Sequence, residues 1–216
     1  IISHVLKAAQ KADIGEVFVA TEDQDIVDDV KKNGGQAILT SNQHKTGTDR
    51  IYEALKKLSR NDVDLVMNLQ GDEPEISEED IINLNNQMIK TKYKIGTLAS
   101  KILDAKIYEN ENVVKVLTKN SLQDHKFPEA KNFFRKLIGE SQNVYHHIGI
   151  YCYEVEVLKN FISLKQSQNE LNNKLEQLRA LDNNIKINVA LAKASPIGVD
   201  TMEDYVAIKK IMEYKS

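Results

Sequence analysis

The stretch DLVMNLQGDEPEI, residues 64–76, decides the fold. Leu65, Val66, Met67 and Leu69 make a short apolar run with no charge inside it. Such a run predicts a strand covered on both faces, where apolar–polar alternation is lost. It stops at Gln70, Gly71, Asp72, Glu73 and Pro74. Glycine lets the chain turn or a ligand approach the backbone, and proline cannot continue a ladder. A carboxylate just past the carboxyl end of a central α/β strand sits where such folds bind ligands. Asp72 is therefore a candidate for holding a metal ion against phosphates. Asp also caps helices and fills turns, so the stretch alone leaves both roles open.

Upstream, the chain alternates helix and strand. Val5, Leu6, Ala9 and Ala12 recur at helical spacing and Gly15 is the expected stop. Residues 16–20 (EVFVA) predict a strand, and Thr21, Glu22 and Asp23 open a second helix with Ile26, Val27 and Val30 on one face. Asn33, Gly34 and Gly35 end it before a strand at 36–40. This order predicts right-handed crossovers and a parallel sheet. The loop HKTGTDR (44–50) leads into a helix around Ile51, Ala54, Leu55 and Leu58. Thr46 and Thr48 suit capping. Equally, a glycine, hydroxyls and Arg50 at a helix amino terminus suit an anionic nucleotide.

Downstream, Ser77 precedes a helix with acids in its first turn, as the helix dipole favours. Residues 93–101 and 113–118 read as strands. Residues 120–142 read as an irregular loop or lid, with Phe133, Phe134 and Arg135 directed at something apolar. In VYHHIGIYCY (144–153), alternation puts His147, Gly149, Tyr151 and Tyr153 on one face and His146, Ile148, Ile150 and Cys152 on the other. His147 and Tyr151 are either structural or part of a ligand wall. Residues 170–182 (ELNNKLEQLRALD) predict one helix, with Leu171, Leu175, Leu178 and Leu181 towards the core. Glu176, Gln177 and Arg179 would then lie on its solvated side. A strand at 185–192, a short strand at 196–201 and a last helix complete the chain. By this reading Asp200 is a helix cap.

The chain has 216 residues, 41% hydrophobic and 28% charged, with a net charge of −3. That suits one globular domain spanning 1–216 and argues against a broad nucleic-acid-binding face. The single cysteine, Cys152, excludes an internal disulfide and fits a reducing compartment. No apolar run approaches the ~18 residues of a membrane span. With no secretory leader expected in the opening IISHVLKAAQKA, the expected location is the cytoplasm, with no membrane and no nucleic-acid partner. The chain opens in the middle of a helical pattern, so an upstream strand and loop are expected.

HKTGTDR (44–50), QGDEPEI (70–76), HHIGIYCY (146–153), LEQLR (175–179) and GVDT (198–201) occur in this order. Together they closely resemble the 3-deoxy-D-manno-octulosonate (Kdo) cytidylyltransferases, or CMP-Kdo synthetases, over nearly the whole chain. The resemblance implies an α/β sandwich of the nucleotide-diphospho-sugar transferase type. It has a mainly parallel central sheet and a smaller sheet lobe, approximately 93–165, that makes a homodimer. It implies that CTP and Kdo give CMP-Kdo and pyrophosphate, supplying Kdo for lipopolysaccharide. Such chemistry depends on alignment and charge neutralisation. Mg²⁺ suits carboxylates and phosphates.

By the same resemblance Asp72 and Asp200 are the catalytic, Mg²⁺-binding aspartates. Thr46, Gly47, Arg50, Gln70 and Gly71 hold the nucleotide. Gln70, Arg135, His147, Tyr151, Glu176 and Gln177 hold the sugar acid, whose carboxylate needs a cation or a His donor. The family's opening strand and basic phosphate loop, roughly 30 residues, would precede Ile1, and residues 1–216 alone are expected to turn over poorly. Asn173 and Phe134 depart from the family pattern. Two alternatives stand beside this reading: a cytidylyltransferase for another acid sugar (8-amino-Kdo or a sialic acid), and a non-catalytic nucleotide-binding remnant.

Overall fold

The computed structural model describes residues 2–71, 76–104, 106–136 and 142–193. Helix α1 (Ile2–Ala12) buries Val5, Ala9 and Ala12 and ends where Asp13 turns left-handed at φ 48°, two residues before the glycine expected to stop it. Strand β1 (Val19–Thr21), helix α2 (Gln24–Lys32) and strand β2 (Ala37–Leu39) follow. Asp23 caps α2 by accepting from the Asp25 N–H, and Gly34 supplies the positive φ of the turn after it. β1 and β2 are parallel, with Val19 opposite Ala37 and Thr21 opposite Leu39. Helix α3 (Gly47–Leu58), strand β3 (Leu65–Asn68), helix α4 (Glu78–Thr91) and strand β4 (Ile95–Ser100) come next. Then come α5 (Lys106–Glu109), β5 (Lys115–Thr118), β6 (Ala130–Phe134), β7 (Val144–Glu154), α6 (Val155–Ser163), α7 (Gln168–Asn173), α8 (Gln177–Asp182) and β8 (Ile187–Leu191).

Six strands form one mixed sheet in the order β6, β5, β7, β4, β8, with β3 also paired to β7. The parallel expectation is met at β1–β2 and at β4–β8, while β7 runs antiparallel to β3, β4 and β5. β5 and β6 are also antiparallel, joined by residues 119–129 without a crossover helix. β7 pairs with β4 along one edge. Its other edge is shared: Val144–His146 pair with β5, and Tyr151–Glu154 pair with β3. Residues 147–150 lie in the fork between those two partners.

Each face of the sheet has its own core, which makes a three-layer sandwich. On one face Ile95, Val116, Phe133, Tyr151 and Tyr153 pack with Leu158 and Phe161 of α6 and Leu175 and Leu178 around the start of α8. On the other, Leu98, Ile148, Ile150, Cys152 and Ala190 pack with Ile81, Leu84 and Met88 of α4 and Ala12 of α1. This is the face division that alternation in 144–153 predicts. Gly96 lets α4 approach, since a Cβ there would lie 2.7 Å from the Met88 sulfur. β3 is half-buried throughout rather than covered on both faces, being paired on one edge by β7.

Three expectations need correction. The supposed lid at 120–142 contains strand β6, whose Phe133 is fully buried; its consecutive Lys131 and Asn132 are both exposed, which breaks the alternation and masks the strand in the sequence. The single helix at 170–182 is broken, because Lys174 adopts a left-handed conformation (φ 52°) that ends α7. Leu171 is therefore 51% exposed, while Leu175 and Leu178 are core. Arg179, expected in solvent, is buried. Its Nε and one Nη bond both carboxylate oxygens of buried Glu170 at 2.8 and 2.6 Å, and its guanidinium stacks 4.8 Å from the Phe161 ring. That pair folds α7 back onto α8. The short strand and helix expected after residue 195 lie outside the described residues.

Leu178→Ala is expected to cost about 2–5 kcal/mol, the range for a fully buried leucine, measured by urea unfolding. An unchanged midpoint would show that the α8 face is not core.

Candidate functional site

The amino end of α3 stands at the carboxyl ends of the first three strands. Its cap is Thr46, which accepts from the Asp49 N–H and donates to the Asp49 carboxylate at 3.0 Å. Arg50 reaches back to Thr40 Oγ1 at 2.7 Å, just past β2, and pairs with Glu22 just past β1. Gly47 faces the end of β3: a Cβ there would lie 3.8 Å from the Asn68 side-chain nitrogen. His44 and Lys57 both bond Glu53, which also receives the Ser41 N–H. Those bonds, Lys57 first, hold the Glu53 carboxyl down at about 2. HKTGTDR thus forms a loop in which His44, Asp49 and Arg50 are bonded to Glu53, Thr46 and Glu22, and it presents Thr46, Gly47 and Thr48 at a helix amino terminus.

The second half of the site is the fork in β7. Gln70, past the end of β3, lies over Gly149, where a Cβ would come within 3.1 Å of the Gln70 amide nitrogen. A side chain at 149 would push it aside by a few tenths of an ångström. On the same strand the rings of His147 and Tyr151 are 5.4 Å apart, Phe133 sits edge-on to His147 at 5.1 Å, and Tyr151 stacks on Tyr153 at 5.8 Å. Opposite them, Glu176 at the start of α8 accepts from buried Thr48 Oγ1 at 2.8 Å. A bond spanning 128 residues of sequence therefore joins the α3 loop to the α8 corner.

Two buried polar atoms here have no hydrogen-bond partner among the described residues: the Tyr151 hydroxyl and Glu176 Oε1. Arg179 lies 3.6 Å from that oxygen, close enough for charge attraction but too far for a hydrogen bond. Burial pushes the Glu176 carboxyl upward, the Thr48 and Thr46 hydroxyls and the Arg179 charge opposing it. Burial, with help from the Glu176 charge, raises the Tyr151 phenol. Burial and neighbouring His146 lower His147 to about 3, so its ring is neutral at physiological pH. A buried cluster carrying unmet donors and acceptors suits a ligand with many hydroxyls.

Of the candidate residues, Gln70, His147, Tyr151 and Glu176 come together around the fork, with Thr46 and Gly47 beside them on the α3 loop. Gln177, half-buried, follows Glu176 as the first residue of α8. Gly71 abuts α1, a Cβ there lying 3.2 Å from Ile2. Arg135 does not join them: its guanidinium bonds the carbonyls of Glu111, Asn112 and Asn173, and its own carbonyl accepts from fully buried Lys115 at 2.6 Å. Asp72 and Asp200 lie outside the described residues. Among the described residues, no group of three or more His, Cys, Asp or Glu side chains is placed to hold a metal ion. Sequence reasoning missed Thr48 as a partner of Glu176, and missed Thr97 beneath His147. A lone threonine in a helix or strand carries no signal of a distant bond.

His147 yields a pH prediction. Between pH 6.5 and about 3 the unfolded chain holds a proton on this ring that the folded chain does not. Stability therefore falls with acidification, by up to about 1.4 kcal/mol per pH unit from this group. Urea unfolding of wild type and His147→Gln between pH 6.5 and 4.5 should show a shallower slope in the variant. Parallel slopes would mean that His147 is solvated.

The geometry has close counterparts among known proteins. A family model described as cytidylyltransferase matches residues 1–187. A 3-deoxy-manno-octulosonate cytidylyltransferase from Thermodesulfovibrio yellowstonii is 43% identical over 98% of this chain and 88% of its own length. The enzyme of that name from Bartonella tribocorum is 38% identical over 98% and 87%. Among solved structures, a CMP:2-keto-3-deoxy-manno-octonic acid synthetase complexed with CTP superposes with a TM-score of 0.88 at 33% identity, covering 100% of this chain and 88% of its own. A UDP-glucose pyrophosphorylase, at 12% identity and a TM-score of 0.73, shares the fold. The sandwich, the α3 loop and the polar fork in β7 thus come with sequence likeness over almost the whole chain, which belongs to the 3-deoxy-manno-octulosonate cytidylyltransferase family of nucleotidyltransferases.

Proposed function

We propose that the chain transfers a cytidylyl group from CTP to Kdo. A hydroxyl oxygen of the sugar acid bonds to the α-phosphorus, the bond from that phosphorus to the β-phosphate oxygen breaks, pyrophosphate leaves with the electron pair, and the hydroxyl proton is released. The observation that carries this reading is the pair of unmet buried atoms, Tyr151 OH and Glu176 Oε1, set beside Gln70 and His147. A polyhydroxylated acid can satisfy such atoms, whereas an apolar ligand cannot. Gln70 lies over Gly149, and Glu176 is held by Thr48, so Glu176 starts aligned and loses little freedom when substrate binds. Thr46, Gly47 and Arg50 belong to the nucleotide side, where the α3 amino terminus favours the triphosphate.

The proposal includes Mg²⁺ on Asp72 and Asp200, supported by where those residues fall in the sequence: Asp72 directly follows Gly71 beyond β3. When bound, the ion would neutralise phosphate charge. It also includes Gln177 and Arg135 on the sugar side, with Arg135 needing to exchange its carbonyl partners for a ligand. A cytoplasmic homodimer formed through residues 93–165 completes the reading, placing the enzyme in the supply of Kdo to lipopolysaccharide. In its support, Leu103 on that segment is 89% exposed, and no described helix is long and apolar enough to cross a membrane.

Pyrophosphate release from CTP should be fastest with Kdo when Kdo, 8-amino-Kdo and a sialic acid are compared. Equal release without any sugar, or a preference for another acid, would overturn the assignment. Asp72→Asn and Asp200→Asn are each expected to lower Mg²⁺-dependent release by at least about a hundredfold with unchanged unfolding midpoints. His147→Ala should raise KM for Kdo more than KM for CTP; an equal effect would make it structural.

A further inference from the structure

Beneath His147 the sheet has an irregularity with a chemical consequence. Thr97 pairs with Tyr151 and the next β4 residue, Leu98, with Ile148, so three steps on β7 answer one on β4 and Gly149 and Ile150 bulge out. The Thr97 side chain closes that bulge and is completely buried. Its Oγ1 lies 2.6 Å from the Ile150 carbonyl oxygen, 3.4 Å from the Ile148 carbonyl oxygen and 3.0 Å from His147 Nε2.

A hydroxyl has one proton to donate. Two oxygens 2.6 Å apart need that proton between them, since otherwise their lone pairs oppose each other. The Thr97 proton therefore goes to Ile150, and Oγ1 is left as an acceptor towards His147. The His147 ring is buried and neutral, so it carries a single N–H, and Oγ1 requires it on Nε2. Nδ1 is then left as the acceptor nitrogen of the ring.

We propose that Thr97 is a positioning residue that locks His147 in the Nε2–H tautomer, so that Nδ1 accepts a hydrogen bond from a hydroxyl of the bound sugar acid. His147 is thereby withdrawn as the donor to the sugar carboxylate that the sequence suggests. The identity of the ligand rests on the Kdo reading; the tautomer does not. The bulge serves this role because it brings the Ile150 carbonyl to the hydroxyl that orients the ring.

The test is nitrogen-detected NMR on the chain labelled at its five histidines, with His147→Gln used to assign the ring. The expected spectrum has a protonated Nε2 and an unprotonated Nδ1 for His147. Adding Kdo should move Nδ1 in the direction of an accepted hydrogen bond and leave Nε2 in place. Thr97→Ser keeps the hydroxyl and should keep both signatures. Thr97→Val should release the tautomer and raise KM for Kdo about tenfold, with KM for CTP unchanged.

An Nδ1–H tautomer in the wild type overturns the proposal. So does a Kdo titration that shifts the amides of Gln70 and Gly149 but not Nδ1, or a Thr97→Val variant with the wild-type tautomer. If Thr97→Val does not fold, the wild-type and Thr97→Ser spectra decide. A titration that moves no resonance in the fork counts against Kdo as ligand and against Nδ1 as its acceptor, while the tautomer is still read from the free chain. Binding with the expected shifts but no turnover counts against catalysis only.

Discussion

The molecule depends on one strand being shared. β7 is eleven residues long and bonds β4 along one edge, while β5 and β3 divide the other. A strand that fills one partner's edge completely buries its backbone polar groups in the ladder. A strand whose edge is forked leaves a short stretch that must be satisfied otherwise. In this chain Thr97 meets the bulged carbonyl from one side and Gln70 lies across Gly149 from the other. The polar cluster is thus a product of sheet geometry: the bulge that disrupts pairing brings Gly149 against Gln70 and sets His147 and Tyr151 side by side.

Around that fork the charges are arranged to leave the ligand side open. Arg50, His44, Lys57 and Arg135 are each held by carboxylates or carbonyls of the protein. Lys115, fully buried, is held by two carbonyls at 2.6 Å, those of Asn110 and Arg135. The groups with capacity to spare are the Gln70 amide, the His147 ring, the Tyr151 hydroxyl and one oxygen of Glu176. A cleft of this kind discriminates by hydrogen-bond pattern more than by net charge.

Much of this was legible in the sequence, for reasons that differ by element. Helices α1 to α4 carry regular apolar spacing, and α2, α3 and α4 also have side-chain caps, so their positions follow from local chemistry. The alternation in 144–153 survives the bulge because two extra residues preserve parity, which is why the face division came out right. The broken helix at 170–182 was not legible. Leucine spacing of four, three and three fits a continuous helix, and what breaks it is a buried ion pair between Glu170 and Arg179, whose value depends on Phe161 and on burial. β6 was hidden because an edge strand with exposed Lys131 and Asn132 looks like a loop. The site residues themselves were named by resemblance; spacing alone left His147, Tyr151 and Glu176 undecided. The threonines that set their geometry, Thr48 and Thr97, are visible only in three dimensions.

The pair of six-residue helices that carries Glu176 also bears on how the molecule folds. Helices this short have negligible stability in water by themselves. Their order comes from Glu170 and Arg179 being sealed together against Phe161, and removing one partner of such a pair strands the other's charge. The acidic corner of the cleft therefore exists only once α6, α7 and α8 have condensed as a unit. Assembly of the site and cooperative folding of this end of the chain are one event, and a change at Phe161, remote from any ligand, would reach the chemistry through it.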